Sequence, residues 1–224
     1  MKKERVRCSI CGQKAMFPEL KKDDCVKLEH YARYCPEEKN LAEKEVNGVI
    51  QHCPNCGYVF LRIDEKTKTE KELVISKEYV TPFGENYQGP KEAVECFQLA
   101  VTYQNMDCKR LAVQWYIYGA ILLKKYEHVL ARRICLKNAL FLLEQILKTA
   151  DLKKDIEIYL AYLNVMRMLG LFDLVIEFGS EILDKCQGLD RRLVGTIMRQ
   201  ARLKCTDYLT YIDMLFLEIL GNLS

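Results

Sequence analysis

The chain has 224 residues, half of them apolar, with 34 Lys plus Arg against 31 Asp plus Glu and a formal net charge of +3. A chain of this length and composition buries a sizeable core and forms one or two folded domains. Its near-balanced, interspersed charge gives the molecule as a whole no electrostatic footprint for nucleic acid or an anionic membrane. No apolar run approaches the roughly 20 residues that span a bilayer.

The opening "MKKERVRCSICG" runs from basic residues straight into a cysteine cluster without an apolar h-region, so a cytoplasmic location is expected. The 11 cysteines are then an odd number in a reducing compartment, which argues against a disulfide framework. Six of them lie in the first 56 residues. Cys96, Cys108, Cys135, Cys186 and Cys205 are scattered through helical sequence, where a small buried hydrophobe is the expected role.

Two stretches carry the chemistry. "CSICG" places Cys8 and Cys11 three positions apart before Gly12, and "CPNCG" repeats the pattern with Cys53, Cys56 and Gly57. In each, the glycine allows a tight turn that aims backbone amides at the sulfurs, and a β-like tail follows: "KAMF" after the first and "YVFLRI" after the second. Two C-x2-C pairs supply the four thiolates of a closed, tetrahedral, structural Zn2+ site, the pattern of a zinc ribbon. The same four thiolates also suit iron, and a single C-x2-C also serves redox chemistry. Cys25, His30, Cys35 and His52 stand outside the turns as spare ligands.

"DEKTKTEKELVISKE" at 64–78 reads as a solvated connector or surface helix, and the Pro- and Gly-rich "TPFGENYQGP" at 81–90 as a boundary. Beyond Pro90 the apolar spacing is helical. Leu136, Leu140, Leu143 and Leu147 form one stripe. Ile156, Leu160, Leu163 and Met166, with Ile158, Tyr162, Val165 and Leu169, form two more on a single segment, which therefore needs neighbours on both sides. Asp107 and Asp151 are expected as N-caps, with breaks at Gly170, at Asp173 and at 187–190. Turns this short imply antiparallel helix hairpins. Trp115, Tyr118 and Gly119 followed by Ala131 fit a tetratricopeptide (TPR) signature, and 159–183 reads as a looser second unit with Val175 and Gly179 at signature positions. Tyr116, about 100° around the helix from Trp115, is expected to face a partner.

No H-E-x-x-H, phosphate-binding G-x4-G-K-[ST] or G-x-S-x-G stretch is present, and a site with four cysteine ligands leaves no position for a catalytic water; no enzymatic activity is expected. The reading is α+β, mainly α: a zinc ribbon over 1–63, a charged connector over 64–89 and a TPR-like helical solenoid over 90–224. Such a chain is expected to bind a protein or peptide partner through its helices. The alternative is a nucleic-acid-binding zinc ribbon, suggested by "MKKERVR" and by Lys21 and Lys22.

The order of "CSICG", "YCPEEKN", "HCPNCGYVF", "PFGENYQGPKEAVECFQLAVTYQ" and "LAVQWYIYGAILL" resembles the bacterial proteins called domain of unknown function 2225. That resemblance implies an N-terminal zinc ribbon joined to TPR-like helices, with Cys8, Cys11, Cys53 and Cys56 as metal ligands, and no established activity.

Overall fold

Each cysteine turn closes a β-hairpin: exposed cations recur along the strands flanking the first, whereas largely buried residues flank the second. In the computed structural model, which describes residues 3–18, 50–207 and 209, β1 (Lys3–Arg7) pairs antiparallel with β2 (Lys14–Pro18), and β3 (Gln51–His52) with β4 (Val59–Phe60). Cys25, His30, Cys35, Lys21 and Lys22 lie outside the described residues. By packing, the chain forms two compact units, one containing the hairpins and extending to Cys135, the other from Leu136 onward.

In the first unit the hairpins are followed by two single-turn helices, α1 (Lys71–Val74) and α2 (Lys77–Val80), then by α3 (Lys91–Asn105) and α4 (Lys109–Lys125). The stretch at 64–78, read as a solvated connector or surface helix, is mostly exposed and forms α1 and the start of α2, with Thr69 and Val74 buried; Tyr79, just beyond it, is buried too, and Ser76 caps α2 by accepting from the Tyr79 amide. Helix α3 packs on both α4 and β4, with the Phe60 and Tyr103 rings 5.4 Å apart. The α3–α4 turn holds Asp107 at φ 60°, so Asp107 is a left-handed turn residue; Cys108, not Asp107, occupies the N-cap position of α4.

Trp115 is buried, as expected, but so is Tyr116: its ring meets Phe97 edge-on at 5.1 Å and its hydroxyl donates to Gln104 Oε1 at 3.2 Å. The expectation of a partner-facing Tyr116 is therefore wrong. Helix α4 is apolar nearly all round, so a 100° rotation from Trp115 still points inward. A Cβ placed on Gly119 would stand 3.4 Å from Cys96 Cβ and 3.5 Å from Cys135 Sγ, which makes Gly119 the point where α4 approaches its neighbours.

Helix α5 (Val129–Leu147) carries the division between the units. In the second unit α6 (Ile156–Met168), α7 (Phe172–Leu183) and α8 (Gly188–Arg202) pack around Leu163, Met166, Val175, Val194 and Ile197. Both stripes on α6 face packing partners, Leu160 and Met166 on one and Ile158 and Val165 on the other being buried. Gly170, at φ 80°, closes α6 in a Schellman turn: its amide donates to the Arg167 carbonyl, and the Leu171 amide donates to that of Met166. Asp151 does not cap α6, whose N-cap is Asp155; its carboxylate accepts from the Lys153 amide in the preceding turn. Arg167 is fully buried and donates to the carbonyls of Cys205 and Asp207 and to Asn164 Oδ1, fastening the chain that follows α8. Among the described residues no helix is long and apolar enough to cross a membrane.

Candidate metal centre

The two cysteine turns have the same local construction. The Cys8 amide donates to the Gln13 carbonyl at 2.9 Å and the Gly12 amide to the Cys8 carbonyl at 2.9 Å; in the second turn Cys53 donates to Tyr58 at 2.8 Å and Gly57 to Cys53 at 3.0 Å. Gly12 and Gly57 both adopt left-handed conformations, at φ 72° and 77°, which other residues enter only at a steric cost. Each hairpin thus delivers a pair of thiols from its tip.

The tips meet. Cys8 Sγ lies 3.8 Å from Cys56 Sγ and Cys11 Sγ lies 3.7 Å from Cys53 Sγ, and all four sulfurs fall within 4.8 Å of one another. Disulfide bonding needs about 2.05 Å, so these are four separate thiols. Four sulfurs at about 2.3 Å from a central zinc ion form a tetrahedron with edges of about 3.8 Å, the separation found across the two turns. Cys8 and Cys53 are buried while Cys11 and Cys56 are half-buried, so the set has an inner and an outer edge.

The thiols differ in how readily they ionise. Burial pushes the Cys8 thiol up, although the amides of Cys11 and Ile10 donate to it. Burial also dominates at Cys56, and the neighbouring sulfurs of Cys53, Cys11 and Cys8 raise it further against the pull of the Tyr58 amide. Burial works against ionisation at Cys11 too, but hydrogen bonds from the Gln13 amide and the Asn55 side chain, with those of the Cys53 and Cys56 thiols, bring it down to about 7. One thiolate is stabilised by the protein. A bound cation would supply the charge to compensate a full set of thiolates.

The structure brings together all four cysteines of the C-x2-C pairs. His52 is not among them: its Nδ1 lies 3.8 Å from Glu95 Oε1, a carboxylate that also pairs with Lys91 at 2.9 Å. Burial, then the Lys91 charge, lowers the His52 pKa, with Glu95 opposing. Two supporting residues carried no sequence signal. Gln51 Oε1 accepts from the Ile63 amide at 2.8 Å, and the Tyr79 hydroxyl accepts from the Val59 amide at 3.0 Å, so both hold the second hairpin from outside the cysteine turns. Compared with protein-family models, curated proteins and solved structures, the chain matches none.

Proposed function

We propose that Cys8, Cys11, Cys53 and Cys56 hold one structural zinc ion, making the two hairpins a zinc ribbon, and that the helices form a TPR-like scaffold that binds a protein or peptide partner. The observation that carries the metal reading is the pair of cross-turn sulfur separations, 3.8 and 3.7 Å, in a donor set made only of thiols. Zinc fits them at its ordinary bond length, and four thiolates leave no coordination position for substrate or water, so the ion's work is to hold structure. On this reading the chain is a non-catalytic cytoplasmic adaptor; its resemblance to the domain of unknown function 2225 proteins bears on the ribbon-plus-helices architecture and the four ligands, not on the adaptor role.

The TPR-like reading is supported by buried Trp115, Tyr118 and Ala131, and by the close approach at Gly119. A surface for a protein partner is available in the first unit, where a groove of about 610 Å³ is bordered by Phe83, Tyr87, His128, Val129 and Leu130. Val129 and Leu130 are 71% and 80% exposed, an adjacent apolar pair at the start of a helix. Native mass spectrometry of the purified chain is expected to show one zinc per protein. A folded, metal-free protein, or bound iron with the absorption of a cluster, refutes the zinc reading. For the scaffold, Leu130→Asp is expected to abolish recovery of partners in affinity purification from the native host at unchanged thermal stability; an unchanged partner set refutes the groove.

A further inference from the structure

The first hairpin has two unlike faces. Its register pairs Lys3 with Pro18, Arg5 with Met16 and Arg7 with Lys14, and, on the alternate positions, Glu4 with Phe17 and Val6 with Ala15. Directly opposed residues share a face and successive residues alternate between faces. One face therefore carries Lys3, Arg5, Arg7, Lys14 and Met16, all exposed; the other carries buried Phe17 with half-buried Val6 and Ala15. The hairpin's one described carboxylate, Glu4, is on the second face. Among the described residues Lys3, Arg5, Arg7 and Lys14 enter no ion pair, whereas Arg62, Lys77, Lys91, Lys109 and Arg191 each have a carboxylate within 4 Å. Four cations on one side of a ribbon, with no carboxylate partner among the described residues, form a local field that the chain's near-neutral total conceals.

We propose that this face binds the phosphate backbone of double-stranded DNA without reading its sequence. Three features choose that occupant. First, Lys3, Arg5 and Arg7 repeat at about 6.8 Å along the strand, twice the roughly 3.4 Å rise between phosphates on one strand of a duplex. Second, two of the four cations are arginines, whose planar forks match phosphate oxygens in pairs. Third, a two-stranded ribbon about 5 Å between strand axes fits the roughly 12 Å major groove of B-form DNA, and is excluded from the deep, narrow major groove of duplex RNA. Among the described side chains the face has no aromatic ring on which an unpaired base would stack, and Met16 is the one apolar side chain with which to enter a lipid surface. This proposal concerns the hairpin alone and is independent of any protein partner of the helices.

The test uses the full, zinc-loaded chain and a fluorescent duplex oligonucleotide, with binding followed by anisotropy as salt is varied. Four phosphate contacts give a slope of log K against log salt of about −3.6, so affinity is expected to fall about 150-fold between roughly 50 and 200 mM salt. The double variant Arg5→Glu with Arg7→Glu is expected to bind at least about tenfold more weakly, and Arg5→Gln with Arg7→Gln, which adds no repulsion, to halve the slope to about −1.8. Zinc content and far-UV circular dichroism of each variant show that the ribbon is intact. Wild-type affinity and slope in the Gln variant overturn the proposal. So does equal affinity for duplex RNA of the same sequence, or tighter binding to phosphatidylserine vesicles than to the duplex.

Discussion

Replacing Tyr79 by Phe removes one oxygen and tests whether the cysteine turns are fastened to the helices. The Tyr79 ring is buried, and its hydroxyl accepts a 3.0 Å hydrogen bond from the fully buried amide of Val59, the first residue of β4. Phenylalanine keeps the ring packing and leaves that amide without its acceptor in a site closed to water. An unsatisfied buried donor costs about 1–3 kcal/mol, and about 2 kcal/mol lowers the melting temperature of a protein this size by roughly 4–8 °C. Burial above all raises the Tyr79 pKa from 10 to about 12, with the backbone amide of Val59 pulling the other way. Because the folded state keeps a proton that the unfolded chain releases, Tyr79 contributes stability below pH 10 that is lost as pH climbs through 12. The difference between wild type and Tyr79→Phe should therefore shrink across that window. Thermal melts at neutral and alkaline pH, with hydrogen exchange at the Val59 amide, measure both effects. A melting temperature within about 1 °C of wild type, with Val59 protection unchanged, refutes the reasoning.

Gly119→Ala and Gly119→Leu should have opposite signs: the alanine Cβ meets Cys96 and Cys135 at ordinary contact distances and gains up to about 1 kcal/mol of helix propensity, whereas leucine overfills the approach and costs about 1–3 kcal/mol, both read by urea denaturation. Arg167→Met should destabilise the second unit by about 3 kcal/mol, because the carbonyls of Cys205 and Asp207 lose a charged donor, and should speed tryptic cleavage after Lys204; equal cleavage rates count against it.

The cysteine site was legible because its determinants are local. C-x2-C-G states the ligand spacing and the left-handed turn in five residues, and two copies complete a coordination set wherever they fall in the chain. The helical stripes, Trp115 and Gly170 were legible for the same reason: period and punctuation act within a few turns. What failed depended on distant neighbours. Tyr79 sits among charges in the sequence, and only the fold places Val59 against its hydroxyl. Tyr116 looked available because one face of α4 already carried the signature residues, but α4 is enclosed and its other faces are buried as well. Asp107 and Asp151 have the chemistry of helix caps, yet each is used inside a turn that the helix boundary does not reach. Cap chemistry identifies a bend and leaves its register open by several residues.

The two cysteine turns, alike in themselves, are unequally supported, and this decides what a metal would hold. The second hairpin runs into Tyr58, Val59, Phe60, Leu61 and Ile63, all buried; Gln51 binds the Ile63 amide within it, and Tyr79 and Tyr103 tie it to the helical core of the first unit. The first hairpin buries Phe17 and Cys8, is otherwise exposed or half-buried, and reaches the second through the 2.9 Å hydrogen bond from the Ser9 amide to the Ile63 carbonyl. Burial of one phenylalanine is worth about 1.5–3 kcal/mol, too little to offset the ordering of a hairpin whose backbone costs about 1–2 kcal/mol per residue. On the proposed zinc reading, coordination of Cys8 and Cys11 would supply the difference. Treating the purified protein with a zinc chelator should therefore release residues 3–18 to rapid hydrogen exchange while Val59, Phe60 and helix α3 keep their protection. Cys8→Ser should reproduce that pattern at neutral pH. If exchange instead rises together in β4 and α3, the metal holds the whole first unit and the support from Tyr79 and Gln51 is subordinate to it. If residues 3–18 stay protected in the chelated protein, the first hairpin is held by packing alone.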